Sequence, residues 1–93
     1  GASVGTAALV ADSGAVVGTG TAFTKAKVGD VVQVTSGPNA GRVSLITAIT
    51  SATALTTERL WEDADPTATF EIRRGKSKTA ARGKFTLVQD VVL

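Results

Sequence analysis

The chain has 93 residues, with ten Lys plus Arg against eight Asp plus Glu and a formal charge of +2, and at that length the available volume suits one domain with a modest core. It contains no Cys, His, Tyr or Met, which excludes disulfides and thiolate or imidazole metal sites and leaves only carboxylates, amines and hydroxyls for chemistry. No apolar run approaches the roughly 18–20 residues of a membrane-spanning helix, so the composition predicts a protein that is not an enzyme, takes no cofactor or metal and has no membrane partner.

Frequent Val, Thr, Ile and Phe, interrupted by ten glycines, favour strands joined by turns, because branched and aromatic side chains suit a pleated surface and glycine suits reversals. Residues 1–5 are small and read as a flexible arm, and residues 6–93 read as a single β domain. Residues 6–11 and 15–17 flank Asp12-Ser13-Gly14, which supplies turn chemistry for a hairpin. Gly18-Thr19-Gly20-Thr21 is too rich in glycine for a regular strand centre and predicts a bulge or bend ahead of the anchor Phe23. Gly29-Asp30 opens the next strand, with Val32 and Val34 on one face and Gln33 and Thr35 on the other. Residues 36–41 are dense in turn formers, so the chain should reverse there into a strand over 42–49 with Val43, Leu45 and Ile49 facing inward.

A weaker strand is expected over 54–57. Residues 59–65 then read as a surface loop carrying Trp61 among Glu62, Asp63 and Asp65, followed by Pro66, which disfavours both helix and central strand. Alternation resumes over 69–72 with Phe70 and Ile72 inward, and residues 85–93 supply a last apolar strand. The expected core is Val16, Phe23, Val32, Val34, Val43, Leu45, Ile49, Leu55, Phe70 and Ile72. The predicted fold is all-β, a small antiparallel β-barrel or two-sheet β-sandwich of roughly six to seven strands, with an SH3-like barrel among the candidates.

Charge is divided unevenly. Residues 1–72 hold four basic and seven acidic side chains, and residues 73–93 hold six basic and one acidic. The basic segment 73–84, with Arg73, Arg74, Lys76, Lys78, Arg82 and Lys84, has small residues between its charges and no aromatic platform. It can meet phosphates only through electrostatics, or it can protect a sheet edge and meet acidic protein surfaces. In the strand over 85–93, Phe85, Leu87, Val91 and Leu93 oppose Val88 and Val92, so both faces are apolar. That pattern points to burial between subunits or insertion into the sheet. The acids around Trp61 lack the glycine and distal glutamate of a calcium loop and read as a solvated surface. Gly18-Thr19-Gly20-Thr21 lacks the Gly-Lys-Ser/Thr that completes a phosphate loop.

Two resemblances overlap in the middle of the chain. Val17-Gly18-Thr19-Gly20-Thr21-Ala22-Phe23-Thr24, then Val28-Gly29-Asp30, then the Ile-Thr-Ser-Ala-Thr-Ala-Leu-Thr cadence over 49–56, then Trp61 and Phe70-Glu71-Ile72, resemble small β modules of bacteriophage virion proteins. The resemblance implies a virion structural protein, first a capsid decoration (cement) subunit and otherwise a tail or neck subunit. It also implies a homo-oligomer held in the particle, assembled in the host cytoplasm, with major capsid or tail subunits as partners. Its interaction residues are expected to be Trp61, Arg73, Arg74, Lys76, Lys78, Arg82, Lys84, Phe85, Leu87, Val91 and Leu93. The stretch over 28–43 is similar to the KOW motif of ribosomal proteins and transcription-elongation factors. That resemblance implies a barrel topology and, secondarily, nucleic-acid binding.

Overall fold

The computed structural model describes residues 5–75 and 92–93. The expected all-β class holds: among the described residues, seven antiparallel strands form one curled sheet, a half-barrel, with a single short 3-10 turn at Phe23–Lys25. The strands are β1 (Thr6–Leu9), β2 (Ala15–Thr19), β3 (Val31–Val34), β4 (Val43–Ser51), β5 (Ala54–Thr57), β6 (Asp65–Ala68) and β7 (Phe70–Arg73). Their order across the sheet is β6-β1-β2-β5-β4-β3-β7.

That order places two strands that are consecutive in sequence at opposite ends of the sheet. Only Thr69 separates β6 from β7, yet β6 pairs with β1 and β7 pairs with β3. A single residue cannot bridge the width of a flat sheet, so the sheet must curl until its ends meet. Thr69 sits at the junction and is held on β3's side: Thr35 N–H donates to Thr69 C=O at 2.8 Å, and Thr69 N–H donates to Ser36 Oγ at 3.0 Å. The two threonine hydroxyls are also 2.7 Å apart.

Curling gives the sheet a concave face that holds the core. Ala7, Leu9, Val16, Phe23, Val32, Val34, Ile46, Leu55, Trp61, Ala68, Phe70 and Ile72 are all buried there. Phe23 and Phe70 meet with ring centroids 5.8 Å apart and planes tilted by 56°, an arrangement that suits the quadrupoles of both rings. Each fully buried large apolar side chain contributes roughly 1.5–3 kcal/mol.

Three local expectations are corrected. In β4, Val43 and Leu45 are 41 % and 38 % exposed, and the inward positions belong to Ser44 and Ile46. The register explains it: Val32 pairs with Ser44, so the inward face of β3 meets the inward face of β4 there, and Val31 and Gln33 pair with Leu45 and Val43 on the outside. Ser44 is accommodated because its Oγ accepts the Arg59 N–H at 2.9 Å. An irregularity between Ile46 and Ala48 then shifts the phase, so that Ile49 pairs with Leu55 and packs partly buried against the core.

Second, the expected bend is present within residues 18–21, at Gly20, whose φ is +73°, but Gly18 itself lies in regular β2 opposite Ala7. A Cβ on Gly18 would run into the side chain of Thr21, so the glycine answers to close approach rather than to a bulge. Third, residues 59–65 are not simply a surface loop. Trp61 is 1 % exposed and bridges to Ala11, and Asp65 and Pro66 already belong to β6. Pro66 is tolerated because β6 stands at one end of the strand order.

The β1–β2 turn also anchors β5. Gly14 C=O accepts the Thr57 N–H at 2.8 Å and Thr57 Oγ at 3.2 Å, and a Cβ on Gly14 would collide with the Thr57 carbonyl oxygen. Gly14 has no positive φ, so alanine fits its backbone and fails on space alone. Gly14→Ala is therefore expected to lower stability by about 2 kcal/mol or more in urea denaturation, and an unchanged midpoint would contradict this crowding.

Candidate interaction surface

The outer face of β4, β3 and β7 carries two cross-strand rows. Leu45 lies beside Val31, which lies beside Arg73, and Val43 lies beside Gln33, which lies beside Glu71. Directly opposed side chains on one face stand about 4.5–5.5 Å apart at Cβ. The β4 end of these rows is therefore an exposed aliphatic strip, and the β7 end is polar.

The polar end is internally matched. Arg73 donates from Nε to Gln33 Oε1 at 2.7 Å and from Nη2 to Glu71 Oε1 at 2.7 Å. One cation is thus shared between two acceptors in a half-buried network, which leaves Arg73 little free charge to offer a phosphate. Arg74, the next residue, is exposed. Of the other expected interaction residues, Lys76, Lys78, Arg82, Lys84, Phe85, Leu87 and Val91 lie outside the described residues. Leu93 is half-buried, packs against the core and exchanges hydrogen bonds with Ile72.

Trp61 does not serve as an exposed contact. Its backbone is fixed on both sides, with Trp61 N–H donating to Ser13 C=O at 3.1 Å and Asp12 N–H donating to Trp61 C=O at 2.8 Å. Among the described residues, Trp61 Nε1 is the one buried side-chain nitrogen or oxygen that lacks a hydrogen-bond partner. Leaving that donor unmet costs about 1–3 kcal/mol, whereas burying an indole of roughly 200 Å² contributes about 5 kcal/mol. Burial wins, and the residue is a core anchor.

The loop after β3 is locked to the loop after β5. Asn39 is fully buried; its Nδ2 donates to Asp63 C=O at 2.7 Å, and its Oδ1 accepts the Asp63 N–H at 3.3 Å. The reciprocal pair makes the Asn39 amide stand in for a strand residue. Nearby, Arg42 and Glu62 form an ion pair at 2.5 Å with both side chains substantially exposed. The acids of this loop do not converge: Glu62 faces Arg42, Asp63 is held through its backbone, and Asp65 Oδ1 accepts the Thr67 N–H at 3.0 Å. At the base of β3, the buried Asp30 carboxylate accepts N–H bonds from Lys27 and Gly75, both at 2.9 Å. It tethers the end of β7 to the start of β3.

The sequence pointed to the cationic segment and the apolar C-terminal strand as contact surface and missed the β4–β3 strip. The missing signal was register: Val43 and Leu45 read as core because they are apolar, and only pairing with β3 turns them outward. Comparison with protein-family models, curated proteins and solved structures finds no match.

Two substitutions separate the buried tie from the exposed one. Asn39→Ala leaves the Asp63 backbone groups unpaired and is expected to cost about 2–3 kcal/mol, whereas Arg42→Ala should cost less than about 1 kcal/mol. Chemical denaturation of both variants checks the ranking, and equal losses would contradict it.

Proposed function

We propose that the chain is a non-enzymatic structural subunit of a bacteriophage virion, in the first place a capsid decoration subunit, that works through contacts with other protein chains. Supporting this reading is the aliphatic strip of Val43 and Leu45 beside Val31 on the outer face of the half-barrel. Val43 and Leu45 are exposed and Val31 half-buried although the same sheet has a well-filled concave face, and the adjoining polar rim is already charge-matched. An apolar centre bordered by satisfied polar groups suits a protein partner, where exclusion of water supplies the driving force.

The resemblance of the Gly-Thr-Gly-Thr-aromatic stretch, the Gly-Asp strand start and the Leu-Thr strand to phage virion modules supplies the setting, with tail and neck positions as the alternatives to the capsid. Strand-rich subunits of this size suit a role in many copies, where small contacts are multiplied by symmetry. The KOW-like reading of residues 28–43, with nucleic acid as the partner, draws less support. Those residues fold into the β3–β4 hairpin, and Arg73 beside that hairpin spends its charge on Glu71 and Gln33.

The test pairs Val43→Asp with Leu45→Asp. Both positions are exposed, so stability should move by no more than about 1 kcal/mol, while incorporation into particles, read by mass spectrometry of purified virions, should be lost. In parallel, an electrophoretic shift with RNA and DNA at two salt concentrations should show no retained complex. A double variant incorporated as well as the parent, or tight nucleic-acid binding that falls steeply with salt, would overturn the proposal.

A further inference from the structure

Exposed charge on this half-barrel is sorted by end. Every neighbouring pair in the sheet is antiparallel, so β1, β3 and β5 run one way and the other four strands run the opposite way. The connections that leave β1, β3 and β5 therefore gather at one end. Those that leave β2 and β4, with the finish of β7, gather at the other. Hydrogen bonds tie each set together: Asp12 N–H to Trp61 C=O and Asn39 to Asp63 at the first end, Phe23 N–H to Ala52 C=O and Gly75 N–H to Asp30 at the second.

Among the described residues, every exposed charged side chain lies at one of these two ends. The first end carries Asp12, Glu58, Glu62 and Asp63, against Arg59 and the half-buried Arg42 that pairs with Glu62. The second carries Lys25, Lys27 and Arg74. Asp30 lies near them but is buried, and its carboxylate already accepts the Lys27 and Gly75 amides. One end thus holds a surplus of negative charge and the other a surplus of positive charge. Each also exposes aliphatic side chains beside those charges. Val10 and Leu60 are 52 % and 57 % exposed at the acidic end, where the parallel bridge between Ala11 and Trp61 sets them on neighbouring segments. At the basic end Val28, 61 % exposed, follows Lys27 directly.

We infer that copies of this chain associate end to end, the acidic end of one against the basic end of the next. Opposite charges steer the approach and fix its direction, and the aliphatic residues supply apolar area to exclude water. Two like ends brought together would face charge against charge of one sign, so these surfaces do not make a twofold dimer. A contact between two different patches repeats, and it closes into a ring or runs on as a filament. This reading rests on the sorting of charge, not on membership of a virus particle, and it makes no use of the outer strip at Val31, Val43 and Leu45.

The experiment follows the full-length chain by sedimentation velocity up to about 1 mM in low salt, where the screening length exceeds about 10 Å. The parent should associate, and the association constant should fall roughly tenfold or more on raising salt to about 0.5 M. Lys25→Glu/Arg74→Glu makes both ends acidic, and Glu58→Lys/Asp63→Lys makes both ends basic. Each variant alone should be monomeric, while their equimolar mixture associates. A parent that stays monomeric in low salt overturns the inference, as does a variant that associates alone as the parent does, or a mixture that does not associate. All four positions are exposed, and circular dichroism checks that both variants fold. Should either fail to, Leu60→Ser in the parent decides: weakened association supports the contact, and unchanged association overturns it.

Discussion

Everything in this molecule depends on one stretch of chain serving both ends of the sheet. Residues 65–73 pair with β1 in their first half and with β3 in their second, and the change of partner happens at Thr69. Because neighbouring strands twist in a constant sense, a seven-stranded sheet left open would splay. Sharing the two ends between adjacent residues forces it to curl instead. The concave face then becomes an interior, and Trp61, Phe23, Phe70 and Ile72 find one another across it.

The same constraint decides what is left for solvent. Once Val32, Val34 and Ile72 are committed to the inside, their neighbours Val31, Gln33 and Arg73 are committed to the outside, and the partner strand must follow in register. Val43 and Leu45 are carried outward by that geometry. Their exposure is the cost of placing Ser44 where its hydroxyl can receive the Arg59 amide. The polar ties elsewhere are economical: Asn39 joins its loop to Asp63, Asp30 joins Lys27 and Gly75, and Thr57 joins β5 to the turn at Gly14, all without a dedicated helix.

Much of the fold could be read from the residues. The Asp12-Ser13-Gly14 turn, the hairpin around residues 36–41, and the inward Val32, Val34, Phe70 and Ile72 follow from turn chemistry and alternation. Asp12 in particular takes the left-handed conformation, with φ +60°, that Asp tolerates better than most residues. The failures share a cause. Alternation gives the period of β4 but not its phase, since Val43-Ser44-Leu45-Ile46 contains apolar residues at both parities. Trp61 sits among acids, and local polarity argued for a surface, whereas its burial is set by strands distant in sequence. The exposed β4–β3 strip was not legible for the same reason: apolar residues look alike from sequence whether a sheet turns them in or out.

Native-state hydrogen exchange followed by NMR tests the shared-strand closure most directly. If one segment closes the sheet, opening either seam opens both, and the ladder amides of β1 and β6 should exchange with the same free energy as those of β3 and β7, near the global unfolding value. Amides of β6 that exchange rapidly while the β3–β7 ladder stays protected would contradict it, showing β6 to be an appendage and the half-barrel to stand without it.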